Sequence, residues 1–149
     1  MKTFQHPRLM KVDPEFVPCK QMIGEEIWRN GIMHFNVSRI IDDIESGKLR
    51  VIRETIDVKK WSRIHSSSVI NEEHMPNVVL SRPIIQAEIR HDMFELIDGH
   101  HRLEKAKREG LEFIDSFKLS GEQLSRYLTS VERYQTFVKY WNNKLQEYP

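Results

Sequence analysis

Cysteine is almost absent from this sequence. The single residue, Cys19, cannot form an internal disulfide, and it cannot complete a structural zinc site of the usual kind. It therefore reads as a reduced, partly buried thiol and not as a nucleophile. Long apolar runs are also missing. No stretch approaches the length a membrane span needs, and the opening MKTFQHPRLMKVDPEF lacks the continuous apolar core of a signal peptide. A cytoplasmic protein without membrane contact is the expectation. Glycine and proline number only six each, which excludes collagen-like and low-complexity chains. An excess of one charge is lacking as well: 23 basic side chains face 22 acidic ones, so the molecule as a whole is no polycationic clamp for nucleic acid.

What is present is an ordinary globular composition, 39% hydrophobic and 30% charged over 149 residues. The expected organisation is a single domain over 1–149. Its core spans about 37–119, preceded by an N-terminal extension, 1–36, and closed by two helices in 120–149. The extension carries Pro7, Pro14 and Pro18, and a short helix is expected over Gln21–Asn30, stopped by Gly31. VSRIIDDIESG, residues 37–47, places Ile40, Ile41 and Ile44 on one face and ends at Gly47, a two-turn helix. LRVIRETI, residues 49–56, favours a strand, after which Asp57 offers an N-cap to a helix presenting Val58, Trp61 and Ile64.

Asn71 is placed to cap a turn before Pro76. Pro83 belongs at the start of a strand, since it cannot donate inside a ladder. Ile84–Ile89 and FELI (94–97) read as the two arms of a hairpin. HHRLEKAKREG is helical, with Leu103 and Ala106 inward and the pairs Glu104–Arg108 and Lys105–Glu109 along its surface. EFIDSFKL, residues 112–119, alternates Phe113, Asp115, Phe117 and Leu119 as a strand. Ser120 with Gln123, then Thr129 with Glu132, form capping-box patterns opening the two last helices. Tyr134, Phe137, Val138, Trp141 and Leu145 form an apolar stripe that is expected to pack on the sheet, and that also suits a homodimer interface. The fold class is α+β, a small mixed sheet with flanking helices.

The chemistry concentrates where a strand ends in Asp98, Gly99, His100, His101 and Arg102 and a helix begins. A glycine there lets backbone approach a ligand, and the first N–H groups of a helix are unpaired at the positive end of its dipole. That is a ready site for phosphate. His101 and Arg102 add donors, Arg102 with a planar fork. Asp98 is placed to orient Mg²⁺ or to accept a proton. Asp98 is equally suited to an ordinary N-cap, and Gly99 to a tight turn. Basic residues in a first turn are nevertheless unusual, because the dipole there favours Asp and Glu. Arg82, just before Pro83, is positioned either to reach the same cradle or to remain on the surface. His65, His74 and His91 are scattered, no HExxH spacing occurs, and His100 and His101 project about 100° apart, so zinc is disfavoured. Trp28, Trp61 and Trp141 read as packing residues.

The stretch VVLSRPIIQAEIRHDMFELIDGHHRLEKAKREGLEFIDSFKL, residues 78–119, resembles the ParB/sulfiredoxin-fold superfamily, in particular small stand-alone ParB-like proteins with a Pro-Ile-Ile strand, a hairpin and a DGHHR turn. IHSSSVINEEHM and YWNNKL resemble the same group more loosely. The resemblance implies a nucleoside di- or triphosphate with Mg²⁺, its phosphates held at the helix N-terminus by Gly99, His100, His101 and Arg102. By position His100 stands where sulfiredoxin carries its catalytic cysteine. His100 and His101 stand where ParB carries Glu and Arg. The pattern is most similar to a free-serine kinase of the superfamily, which implies Asp98 and His101 as catalytic residues and a Glu as base, for which Glu54, Glu72 and Glu73 are open choices.

Three functions follow as expectations. The first is Mg²⁺-dependent phosphoryl transfer or nucleotide hydrolysis at the DGHHR turn. The second is a non-catalytic module that senses a nucleotide or holds a protein. The third, ParB-like nuclease action or DNA binding, ranks last because basic residues are interleaved with acids even along KAKRE.

Overall fold

One strand carries the sheet. IIQAEIR, residues Ile84–Arg90, is buried along nearly its whole length, as expected of a central strand covered on both faces. In the computed structural model, which describes residues 6–64 and 70–147, this is β4 of six strands. The others are β1 (Ile27–Asn30), β2 (Met33–Asn36), β3 (Ile52–Asp57), β5 (Met93–Asp98) and β6 (Phe113–Leu119). The helices are α1 (Val37–Glu45), α2 (Val58–Ile64), α3 (His100–Arg108), the single turn α4 (Gly121–Leu124) and α5 (Val131–Glu147). Among the described residues, no helix is long and apolar enough to cross a membrane.

The chain divides into two compact units. The second comprises residues 51–87 and 95–119. Its strands belong to a four-stranded mixed sheet, ordered β3-β6-β4-β5. β3 runs antiparallel to β6, with Glu54 opposite Ser116 and Ile56 opposite Ile114, and β4 runs parallel to β6, with Ile84 opposite Ser116. A parallel neighbour needs a crossover, and α3 supplies it. Leu103 and Ala106 of α3 pack with Ile56, Val58, Ile84 and Leu96, and Trp61, Leu80 and Ile114 close the margin. Burying one such leucine contributes about 2 kcal/mol.

The first unit holds residues 1–50, 88–94 and 120–149. The helix expected over Gln21–Asn30 is instead the first arm of a hairpin: Ile27–Asn30 pairs antiparallel with Met33–Asn36. Gly31 has φ +61, so it supplies the first position of a two-residue hairpin turn rather than a helix stop. Asn36 then caps α1 by accepting from the Arg39 N–H at 3.0 Å. The C-terminal stripe is buried as expected, but its partners lie in this unit. Phe137 meets Phe35 of β2 edge-on, with centroids 5.6 Å apart, and Tyr134 stacks on Phe16 at 4.0 Å. Gly121 is small because Trp141 leaves no room: a Cβ there would lie inside the van der Waals envelope of the ring.

Further local differences have simple causes. α5 is capped by Ser130, whose hydroxyl accepts from the Arg133 N–H, and not by Thr129, whose hydroxyl is buried without a partner among the described residues. The Ser120–Gln123 capping box forms as expected. Lys105 donates to the Val78 carbonyl at 2.8 Å instead of pairing with Glu109, while Glu104–Arg108 forms. Phe113 is exposed, because Ser116 and Leu119 are the fully buried positions of β6.

A charged cluster ties the first unit together. Glu88 is 2% exposed and accepts from both terminal nitrogens of Arg8, at 2.8 and 2.5 Å, and from the backbone N–H groups of Gly121 and Asp92. Arg8 also bonds Glu122 and lies over the Trp141 ring. Burial alone would raise the Glu88 carboxyl, but the bonds from Arg8, Gly121 and Asp92 outweigh it and hold the group below its ordinary value of 4.5. A depressed folded-state value stabilises above the unfolded one, and that contribution disappears as pH falls through the folded value. The melting temperature is therefore expected to fall as pH is lowered below about 4.5, with part of that acid sensitivity absent in Glu88→Gln. Identical acid profiles for the two proteins would show that Glu88 does not carry it.

Candidate functional site

The turn from β5 into α3 is set by a contact with no spare space. Gly99 is the N-cap of α3 with φ +103, a conformation L side chains rarely adopt. A Cβ at Gly99 would lie 2.6 Å from Cγ2 of Ile84. The side of Gly99 on which a Cβ would stand is thus filled by Ile84. Glycine is required at this position by packing and by backbone geometry together.

Asp98 and Arg102 brace the same turn. The Asp98 carboxylate accepts from the Arg102 guanidinium one helical turn on, so it is an ion-pair partner and not the side-chain cap of α3. The Arg102 guanidinium also donates to the carbonyls of Pro83 and Arg82, the latter at 3.2 Å. Both side chains are mostly buried, 12% exposed for Arg102 and 16% for Asp98. The fork expected to take phosphate oxygens therefore joins the start of β4 to the start of α3. Arg82 contributes its carbonyl to this clamp, and its residue surface is exposed.

The first turn of α3 has no side-chain cap and no acidic residue. Its residues are His100, His101 and Arg102. Helix N-termini ordinarily carry acceptors for their unpaired N–H groups, and cations there oppose the dipole by roughly 0.3–1 kcal/mol each. This end combines uncapped donors with imidazoles. The His101 Nε2 accepts from the Asn71 N–H at 3.0 Å, which places the ring proton on Nδ1. The His74 ring stands edge-on to His101, with centroids 5.3 Å apart. Asn71 in turn accepts from the Glu73 N–H, so the expected capped turn exists, and it lies against the first turn of α3. His74, assigned no role from sequence, belongs to this group. Nothing local in the sequence indicates its meeting with His101.

The three carboxylates proposed as a base separate clearly. Glu72 accepts from both terminal nitrogens of Arg108, at 2.6 and 2.7 Å, and this pairing holds its carboxyl below the usual range. Glu54 accepts from Gln86 at 2.8 Å and lies 3.8 Å from Lys118. Gln86 also donates to Ser116, and register puts Glu54, Gln86 and Ser116 on the sheet face that carries Ile84 and Ile56. A glutamine in the middle of the apolar run IIQAEI is the sequence signal for this chain of polar contacts. Glu73 belongs to the turn that meets His101.

Among the described residues, no group of three or more His, Cys, Asp or Glu side chains converges as a metal site. His65 lies outside the described residues. His91 and Cys19 belong to the first unit, and burial raises the Cys19 thiol. No family model, no curated protein and no solved structure matches this chain.

The packing of Gly99 gives a direct test. Gly99→Ala is expected to lower stability by roughly 2–4 kcal/mol, from the left-handed backbone and the overlap with Ile84 combined. Urea unfolding measures this, and an unchanged midpoint would contradict the packing described.

Proposed function

We propose that the second unit binds the phosphates of a nucleoside di- or triphosphate at the first turn of α3, within a ParB/sulfiredoxin-like arrangement of strands and helices. One observation carries this reading: α3 begins with two histidines and an arginine, without any capping side chain or acidic residue. A phosphate satisfies the N–H groups and complements the positive end of the helix dipole in one step, which an N-cap Asp or Ser would do only in part. The Nδ1–H of His101 adds a donor, and the Asp98–Arg102 clamp keeps the turn rigid while the N–H groups do the binding.

Mg²⁺ fits this site only as an ion that arrives with the phosphates. The nearby donor set has one carboxylate, Asp98, already paired with Arg102, and Mg²⁺ is commonly held by one or two carboxylates plus phosphate oxygens. When bound, the ion would neutralise charge on the phosphate oxygens. A second reading, phosphoryl transfer, is favoured by the docking of the Asn71–His74 turn on His101, since Glu73, the candidate base, belongs to that turn. In that reading Glu73 takes the proton of the attacking hydroxyl or water as the attacking oxygen bonds the terminal phosphorus. The bridging P–O bond breaks, the shortened nucleotide leaving with the bridging oxygen, and Asp98 orients the first turn through Arg102. DNA binding gains no support from a first turn whose only arginine is engaged by carbonyls and a carboxylate.

Isothermal titration with ATP, ADP and CTP in the presence of Mg²⁺ tests the proposal. At least one nucleotide is expected to bind, and His101→Ala is expected to weaken it about tenfold through loss of one donor to a charged acceptor. Absence of binding by all three, or unchanged affinity in His101→Ala, would reject it. Turnover of the bound nucleotide that disappears in Glu73→Gln selects the second reading.

A further inference from the structure

A group of cations elsewhere in the same unit forms no ion pair among the described residues. Lys59, Ser62 and Arg63 of α2 and Lys107 of α3 line a surface depression of about 400 Å³. None of these three cations forms an ion pair among the described residues, although neighbouring Arg108 and Lys105 on α3 are both engaged. Among the described residues, no carboxylate lines the depression. Three like charges around one hollow repel one another unless an anion joins them.

Ser62 supplies an independent observation. It is 8% exposed, and its hydroxyl is buried without a hydrogen-bond partner among the described residues. A serine inside a helix usually bonds the carbonyl four residues back, and a buried hydroxyl left unpaired costs about 1–3 kcal/mol. Replacement by alanine would remove that cost without loss of packing. Ser62 is itself one of the residues that line the depression.

From these two observations we infer that the hollow between α2 and α3 is a phosphate-binding site, separate from the first turn of α3. Lys59, Arg63 and Lys107 neutralise the anion, Arg63 offers the planar fork, and the Ser62 hydroxyl donates to a phosphate oxygen. The site does not depend on the nucleotide reading, since it uses none of the residues at Asp98–Arg102. Its ligand is a phosphate group, either a free monoester or one unit of a nucleic-acid backbone.

The test is a titration of the full ¹⁵N-labelled chain with inorganic phosphate at constant ionic strength, read by amide shifts. Saturable shifts are expected at Lys59–Arg63 and Lys107, with affinity about tenfold weaker in Arg63→Gln. Ser62→Ala is expected to weaken phosphate binding while its melting temperature without phosphate stays level or rises. Shifts no larger than those produced by chloride, or wild-type affinity in both Arg63→Gln and Ser62→Ala, would overturn the inference. AMP and a short duplex DNA distinguish the source: reproduction of the shifts by AMP alone assigns a monoester. Reproduction by the duplex, with affinity falling steeply with salt, assigns a backbone phosphate. Shifts at His100–Leu103 are read separately, so failure of one site does not count against the other.

Discussion

The contact between Gly99 and Ile84 governs the second unit. Ile84 opens the central strand and sits in the core with Leu103 and Ala106, while Gly99 begins the helix that carries those two residues. Because no Cβ fits between them, the strand and the helix start are held at one fixed separation. The first turn of α3 is positioned by core packing, not by a capping side chain. No side chain caps its N–H groups among the described residues.

Arg102 turns this packing into a rigid mount. A guanidinium donating to a carboxylate and to the carbonyls of Arg82 and Pro83 satisfies the acceptors just before β4 and joins them to the helix start. The same cation, had it been exposed, would have been the natural phosphate ligand of the turn. In the proposed reading, burying it leaves the binding role to backbone N–H groups and the His101 imidazole. These are fixed dipoles and a neutral donor, and they gain more from a doubly charged phosphate than from water. The Asn71–His74 turn completes the arrangement from the other side through its bonds and ring contact with His101.

Much of the local structure was legible in the sequence, because it rests on short-range rules. Pro83 before Ile84 marked the strand start, Asn71 and Ser120 marked their turns, and Leu103 with Ala106 marked the inward face of α3. Gly31 was misread because a positive φ serves a helix stop and a hairpin turn equally well, and only pairing with Met33–Asn36 decides between them. The roles of Asp98 and Arg102 were hidden for a different reason. Their spacing suits both a phosphate site and an ion pair, and the carbonyls that decide the matter come from a distant strand. His74 and Gln86 were missed because their partners are brought to them only by the sheet and the docking of the 71–74 turn.

The central claim is that the uncapped first turn of α3 holds phosphate. It is tested most directly by following the backbone amide resonances of His100–Leu103 while ADP or ATP with Mg²⁺ is added to the full chain. The account predicts saturable downfield shifts at His101 and Arg102, as their N–H groups acquire a charged acceptor. Amides in this turn that stay unmoved while nucleotide binds elsewhere would contradict it.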